Sequence, residues 1–538
     1  MTPNLSAMKI RLMKFSFLIV LSLLLIITCQ TPVKNIQQEE PDNTWLEEIT
    51  ITQLQQGYKD GKYTIAEVVS AYLDRIIAID KNGPELNSVI EINPDALQIA
   101  AELDKEMAEG KIRGPLHGVP VILKDNIDTH DKMPNTAGAT ALRNSFPKTD
   151  SWVAKKLREA GAVIIAKSNL SEWANFRAMM SSSGWSGVGG QTKNPYVLDR
   201  NPCGSSSGSG VAVSANLCVV AIGTETNGSI VCPSNNNGIV GLKPTVGLIS
   251  RSGIIPISFT QDTPGPMGRT VEDVAICLGT MTGVDPTDSK TINSEGKFLS
   301  DYTKYLKKDG LKGKRIGLLK KSLGFSDRVD SLMKQAFKDL VSQGAEVIEI
   351  ELQKGENYND ASYEVMLYEF RDGLNKYFAS LGENAPVKSL KELIEINKKD
   401  TVELKYFDQK ILEMAEKKGD LNSSEYKKAL TKMLKATRED GIDKIMNNSR
   451  LDAIMAPTGS PAWKTDLLLG DHYVGGSSSL AAISGYPSIT VPMGFVEELP
   501  VGVSFFGKAW SEPVLLEIAY SYEQGTRHRK SPKYLVTD

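Results

Sequence analysis

Histidine and cysteine are both scarce in this chain, at four and five residues in 538. The four imidazoles, His117, His130, His472 and His528, have no neighbouring acid in sequence that would orient one of them as a base, so a histidine-dependent hydrolase is not indicated. The cysteines, Cys29, Cys203, Cys218, Cys232 and Cys277, include no C-x-x-C pair, which argues against a zinc ribbon or a redox motif. The last four lie in apolar or glycine-rich stretches and are expected to be buried free thiols. An excess of one charge is also missing: 62 Lys and Arg face 65 Asp and Glu, for a net charge of −3. No basic block exceeds short runs such as Lys312-Gly313-Lys314-Arg315, so nucleic acid is not expected as a partner. There is no internal repeat, no low-complexity tract, and no apolar run long enough for a comfortable membrane span.

What is present is an ordinary globular composition, 41% hydrophobic and 24% charged, with chain enough for a large core. The first residues stand apart. Lys9, Arg11 and Lys14 precede an apolar run from Phe15 to Ile27, the pattern of a secretory leader. Ile26-Ile27-Thr28-Cys29 resembles a relaxed bacterial lipobox, with Thr28 departing from the usual small residue. The pattern predicts an exported bacterial protein, periplasmic or membrane-anchored through a lipid on Cys29. The expected organisation is a leader over 1–29, a polar tether over 30–44, one domain over 45–530 with a helical lobe at 353–450, and a tail over 531–538.

Within that domain, Thr64-Ile65-Ala66-Glu67 is a capping box ahead of a helix with one apolar face. A second helix is expected between Pro94 and Gly110. Val119 to Leu123 reads as a buried strand that delivers Lys124 at its end. A helix over 151–160, strands at 162–166, 219–223 and 238–242, and a helix from Ser207 continue the alternation. Residues 315–350 read as a β-α-β unit. Strands are expected at 451–456 and 487–492, and a closing helix at 513–526. The pattern predicts an α/β fold: a central twisted sheet, mixed and largely parallel, with helices on both faces and a peripheral helical lobe.

Two glycine-serine stretches carry the chemistry: Gly204-Ser205-Ser206-Ser207-Gly208-Ser209-Gly210, and Gly223-Thr224-Glu225-Thr226-Asn227-Gly228-Ser229-Ile230. Hydrolysis of an amide by a serine needs a base, donors for the developing oxyanion, and an acid for the leaving amine. With the histidines set aside the base is a lysine, and a lysine serves only if burial strips its proton. Lys124, in Gly118-Val119-Pro120-Val121-Ile122-Leu123-Lys124-Asp125, follows a strand that should be buried.

These three stretches resemble the amidase signature family, with the stretches about Ser205 and Ser229 most similar to those of bacterial peptide amidases. The resemblance implies Lys124 as the terminal base, Ser205, after a cis peptide bond, as the relay, and Ser229 as the nucleophile. It implies an oxyanion hole from the backbone of Thr226, Asn227, Gly228 and Ser229, and no metal or organic cofactor. Asn227 stands where the family pattern has Gly, and Val231 where it has Arg. The expected reaction is hydrolysis of a carboxylic or peptide C-terminal amide to the acid and ammonia, with a small-molecule or peptide amide as the bound partner. Lys243, Asp262 and Arg269 are expected to brace the catalytic loops.

Three alternatives remain open from the sequence. Gly204-Ser205-Ser206-Ser207-Gly208 satisfies G-x-S-x-G, which would make Ser206 the nucleophile, but that elbow needs a preceding strand and residues 194–202 read as a loop. The glutamine-hydrolysing, A-type component of a tRNA-dependent amidotransferase shares the signature. A non-catalytic amide-binding protein would keep the fold without turnover.

Overall fold

Branched apolar runs become the strands expected of them. The computed structural model describes residues 43–352 and 358–537, and the leader, Cys29 and most of the tether lie outside the described residues. In chain order the main-sheet strands are β1 (Val89–Ile92), β2 (Pro120–Lys124), β3 (Val163–Ser168), β4 (Val220–Glu225), β5 (Val240–Lys243), β6 (Thr263–Gly268), β7 (Arg315–Leu319), β8 (Glu346–Ile350), β9 (Ala453–Pro457), β10 (Ser488–Val496) and β11 (Leu499–Phe506). They form one 11-stranded sheet in the order β1-β3-β2-β4-β6-β5-β10-β11-β9-β7-β8.

Parallel pairing is confined to two blocks, β3-β2-β4 and β9-β7-β8. The strands between them, and β1 at the edge, pair antiparallel. Every residue of β2 to β6 is buried, so successive side chains pointing to opposite faces are covered on both sides.

The capping box is realised: Thr64 accepts from the Glu67 amide while Glu67 reaches back to the Thr64 amide, starting the helix Ile65–Arg75. The helix expected after Pro94 spans Ala96–Ala108, and Ser151 caps Trp152–Glu159. The β-α-β unit forms around the helix Asp327–Ser342. Between Tyr358 and Ser449 the chain is mostly helical, as expected of the lobe, and its longest helix, Tyr358–Ser380, packs apolar residues such as Phe370 and Leu374 against Trp173, Phe176 and Ile257.

Three main-sheet strands, β1, β6 and β11, escape the sequence reading. β6 has the sequence Thr-Pro-Gly-Pro-Met-Gly, and two prolines argue against a central strand. They are tolerated because β5 reaches only Met267 and Gly268, leaving the β5-side edge at Pro264 and Pro266 without a ladder partner. β11 forms a hairpin with β10 across Glu497-Glu498.

Candidate active site

Lys124 is the last residue of β2, and its side chain is completely buried. Its Nζ lies 2.7 Å from Ser205 Oγ, 2.9 Å from Thr224 Oγ1 and 3.3 Å from the Thr224 carbonyl on the adjacent parallel strand β4. Asn126 Nδ2 donates to the same Thr224 hydroxyl at 3.0 Å, which orients it. Burial lowers the amine from its ordinary value to about 7, against the opposing fields of Asp262 and Glu225. A neutral amine here can give its two protons to Thr224 and turn its lone pair to Ser205.

Ser205 precedes the helix Ser207–Ser214, and the Gly204–Ser205 peptide bond is cis. A β-carbon on Gly204 would overlap Ser171 Oγ, so no side chain fits there. The Ser205 carbonyl accepts from the Ser171 amide at 3.0 Å. Ser206 is spoken for: its hydroxyl donates to the Thr224 carbonyl at 3.1 Å and accepts from the Thr224 amide at 3.2 Å, stitching this loop to β4. With no main-sheet strand before it, Ser206 lacks both the exposure and the context of a nucleophile elbow.

Ser229 is brought to the same place through the main chain, its carbonyl accepting from the Ser206 amide at 3.1 Å. Its hydroxyl makes no hydrogen bond among the described residues, and the residue keeps 8% of its surface open. The structure thus joins Lys124 to Ser205 directly and holds the Ser229 main chain against Ser206, with the Ser229 Oγ unengaged among the described residues. Catalytic hydrogen bonds are often loose until substrate is present.

The turn around Ser229 is organised by a residue the sequence did not single out. The buried Glu225 carboxylate accepts from the amides of Gly228 at 2.8 Å, Ile230 at 2.8 Å and Val231 at 3.0 Å. Gly228, at φ +84°, takes the left-handed conformation that glycine allows. The expected oxyanion set is corrected here: the Gly228 N–H is committed to Glu225, whereas the amides of Thr226, Asn227 and Ser229 have no hydrogen-bond acceptor among the described residues.

We expect Glu225→Gln to leave at least one of the three amides unpaired, at a cost of about 1–3 kcal/mol. It also removes a negative charge that favours the Lys124 ammonium, so the acid limb of the pH–rate profile should move to lower pH. Thermal melts and a pH–rate profile check both effects.

The thiol expectation holds for Cys218 and Cys277, which are free and buried, and fails for the other two. Cys203 and Cys232 form a disulfide, 29 residues apart in sequence. The loop about Ser205 and the start of the helix after Ser229 meet there, and sequence spacing gives no view of that approach. The bond staples the segment two residues before Ser205 to the one three residues after Ser229. Cys203→Ser with Cys232→Ser should lower unfolding stability by about 3–4 kcal/mol from loop-closure entropy, and should lower kcat more than it raises KM; urea titration and steady-state kinetics read the two.

Of the expected braces, Asp262 accepts from Thr226 Oγ1 at 2.6 Å and from the Ile257 and Ser258 amides, so it does hold the loop that carries Ser229. Lys243 is buried, lowered to about 8 by desolvation, and donates to the Pro244 carbonyl. Arg269 instead ties the carbonyls of Val213, Cys218 and Ile49 together, away from the loops. None of the four histidines hydrogen-bonds to Ser205, Ser206 or Ser229.

A cavity of about 410 Å³ opens beside this constellation, lined by Gly204, Asn227, Gly228, Trp463, Tyr473 and Ser478 among others. Asn227 borders it by clasping the helix Ser478–Ser484: its Oδ1 accepts from Ser478 Oγ at 2.7 Å and its Nδ2 donates to Ser479 Oγ at 3.2 Å. A second cavity, about 450 Å³, is lined by Asn126, Thr224, Thr226 and Asp262 and by Asp372 and Lys376 of the lobe.

The sequence profile of the family described as Amidase matches residues 67–516. The solved structure of native peptide amidase from Stenotrophomonas maltophilia is 48% identical, with 91% of this chain and 99% of that chain covered and a TM-score of 0.87. A "probable amidase" of Arabidopsis thaliana is 41% identical over 91% of this chain and 92% of its own length. The A-type component of the glutamyl-tRNA(Gln) amidotransferase of Microcystis aeruginosa is 34% identical over 90% and 99%. The expectation of an exported bacterial protein is corrected by the same comparison. Curated relatives at 37–41% identity over about nine-tenths of this chain come from a plant and fungi, and a basic-then-apolar N-terminal pattern does not by itself assign a compartment. A family profile that spans Lys124, Ser205 and Ser229, and relatives aligned over nine-tenths of the chain, make this protein a member of the amidase family, an amide hydrolase acting on carbon–nitrogen bonds.

Proposed function

We propose that this amidase releases ammonia from carboxylic amides, with C-terminally amidated peptides as the substrate class, through Ser229, Ser205 and Lys124. The observation that carries the reading is a fully buried amine, lowered to about 7, with its nitrogen 2.7 Å from Ser205 Oγ. Ser229 attacks the amide carbonyl while its proton passes through the Ser205 hydroxyl to Lys124. The amides of Thr226, Asn227 and Ser229 receive the oxyanion. The proton returns by the same route to the leaving nitrogen, ammonia departs, and water attacks the acyl-enzyme with Lys124 again as base.

The peptide amide preference is supported by likeness to the S. maltophilia peptide amidase and by a cavity whose lining includes Ser183, Asn227, Thr458 and Ser478, side chains suited to a carboxamide. The amidotransferase alternative is weaker: the solved A-type component from Thermotoga maritima is 26% identical with a TM-score of 0.68. A panel of aliphatic, aryl, fatty-acyl and peptidyl amides, assayed for ammonia without tRNA, tests the reading. Release from peptidyl amides is expected, and ammonia formed only when tRNA and partner proteins are supplied would reject it.

A further inference from the structure

Two loops that contribute Asn175 and Ser183, and Trp463, Asp471 and Tyr473, to the lining of the Gly204–Gly228 cavity also expose several large apolar side chains. Leu468 is 86% exposed, Leu469 59%, Val474 66%, Met179 58% and Met180 62%. Scattered single residues of this kind are normal on a protein surface, whereas several on adjoining loops mark a contact site. The loops are joined: the Asp471 amide donates to the Ser181 carbonyl at 3.0 Å, and the Asp471 carboxylate accepts from the Ser183 amide at 2.9 Å, the Ser183 hydroxyl at 2.6 Å and Trp463 Nε1 at 3.2 Å.

Both loops also connect to the reacting groups. The Gly184 amide donates to Ser171 Oγ at 2.9 Å, and the Ser171 amide donates to the Ser205 carbonyl. At the other end of the longer loop, Ser478 donates to Asn227 in the nucleophile turn. The apolar side chains flank the cleft along the chain: Val474 follows Tyr473, Leu468 and Leu469 shortly precede Asp471, and Met179 and Met180 lie between Asn175 and Ser183, all of these neighbours being cavity-lining residues. A substrate with its carboxamide at Ser229 and its acyl portion in that cleft would bring the residues preceding the amidated one toward these loops.

We propose that Leu468, Leu469, Val474, Met179 and Met180 form a docking rim that selects peptide amides with apolar side chains on the residues preceding the amidated one. This rests on the amidase reading, and it adds which amides are taken. Held loops need little ordering when the substrate arrives, so apolar area removed from water there appears as affinity.

The test compares acetyl-Leu-Leu-Gly-amide with acetyl-Ser-Ser-Gly-amide in two readouts: ammonia release by the full chain, and calorimetric binding to its Ser229→Ala variant. The leucine peptide should show about tenfold higher kcat/KM, carried by KM, and about tenfold tighter binding. Leu468→Ser with Leu469→Ser should reduce both ratios to about twofold, and Met179→Ser with Met180→Ser, on the facing loop, gives an independent second variant. Ammonia release with equal ratios in the unmodified chain would overturn the rim while sparing the amidase reading. A tenfold binding ratio lost in the variants, without ammonia from any amide, would support the rim and sink that reading. Binding to phosphatidylcholine vesicles that the leucine variant loses, with a flat peptide ratio, would overturn the proposal and assign the rim to a lipid surface.

Discussion

Ser229→Ala is expected to lower ammonia release by about a millionfold, the scale seen when a serine hydrolase loses its nucleophile. Folding should be nearly untouched, because the hydroxyl makes no hydrogen bond among the described residues and what Ser229 contributes structurally is its carbonyl. Ser206→Ala should behave in the opposite way. Its hydroxyl bridges both backbone groups of Thr224 in the core, so its loss costs about 1–3 kcal/mol of stability and leaves substantial turnover. Mass spectrometry after a serine-directed fluorophosphonate separates the two: labelling at Ser229 in the unmodified chain and in Ser206→Ala is expected, and labelling that survives Ser229→Ala would move the nucleophile elsewhere.

Lys124→Met should reduce kcat/KM by about a thousandfold, within the range for loss of a general base. The unmodified chain should show the base in its pH profile. An amine lowered to about 7 is active only when deprotonated, so activity should rise with pH through about 7 and level off above it. Below about 7 the rate should fall about tenfold per pH unit, and the limb should vanish in the methionine variant's residual activity.

The same lysine affects folding. Unfolded, the amine holds its proton up to about 10.5, whereas folded it releases it above about 7. The unfolded chain therefore binds the extra proton between those values, and this group's contribution to stability rises with pH across that window. Below about 7 both forms are protonated and the contribution stays at its least favourable. Urea titrations of the unmodified chain and Lys124→Met at pH 7 and pH 10 should give stability differences that change in that direction.

Much of this arrangement was readable from the chain because it rests on local rules. A buried apolar run ending in Lys124, a capping box at Thr64 and a β-α-β pattern from Arg315 each follow from periodicity and flanking residues. The rest depends on what meets across space. β6 violates proline rules and is rescued by where its neighbour stops. Cys203 and Cys232 look like two thiols until the loops about Ser205 and Ser229 fold onto each other. Gly228 announces a turn, but which way its N–H points depends on the Glu225 carboxylate beneath it. Glu225 was legible only as one more residue between Thr224 and Thr226, since a carboxylate serving three backbone amides leaves no spacing signature.

That carboxylate gives the turn a further property. With three of its amides fixed from below by one anion, the turn around Ser229 is ordered before any ligand arrives, and the free amides beside Ser229 start in place. A tetrahedral mimic such as a peptidyl boronate would then meet a rigid receptor, and its association should be a single-phase process without a slow isomerisation after encounter.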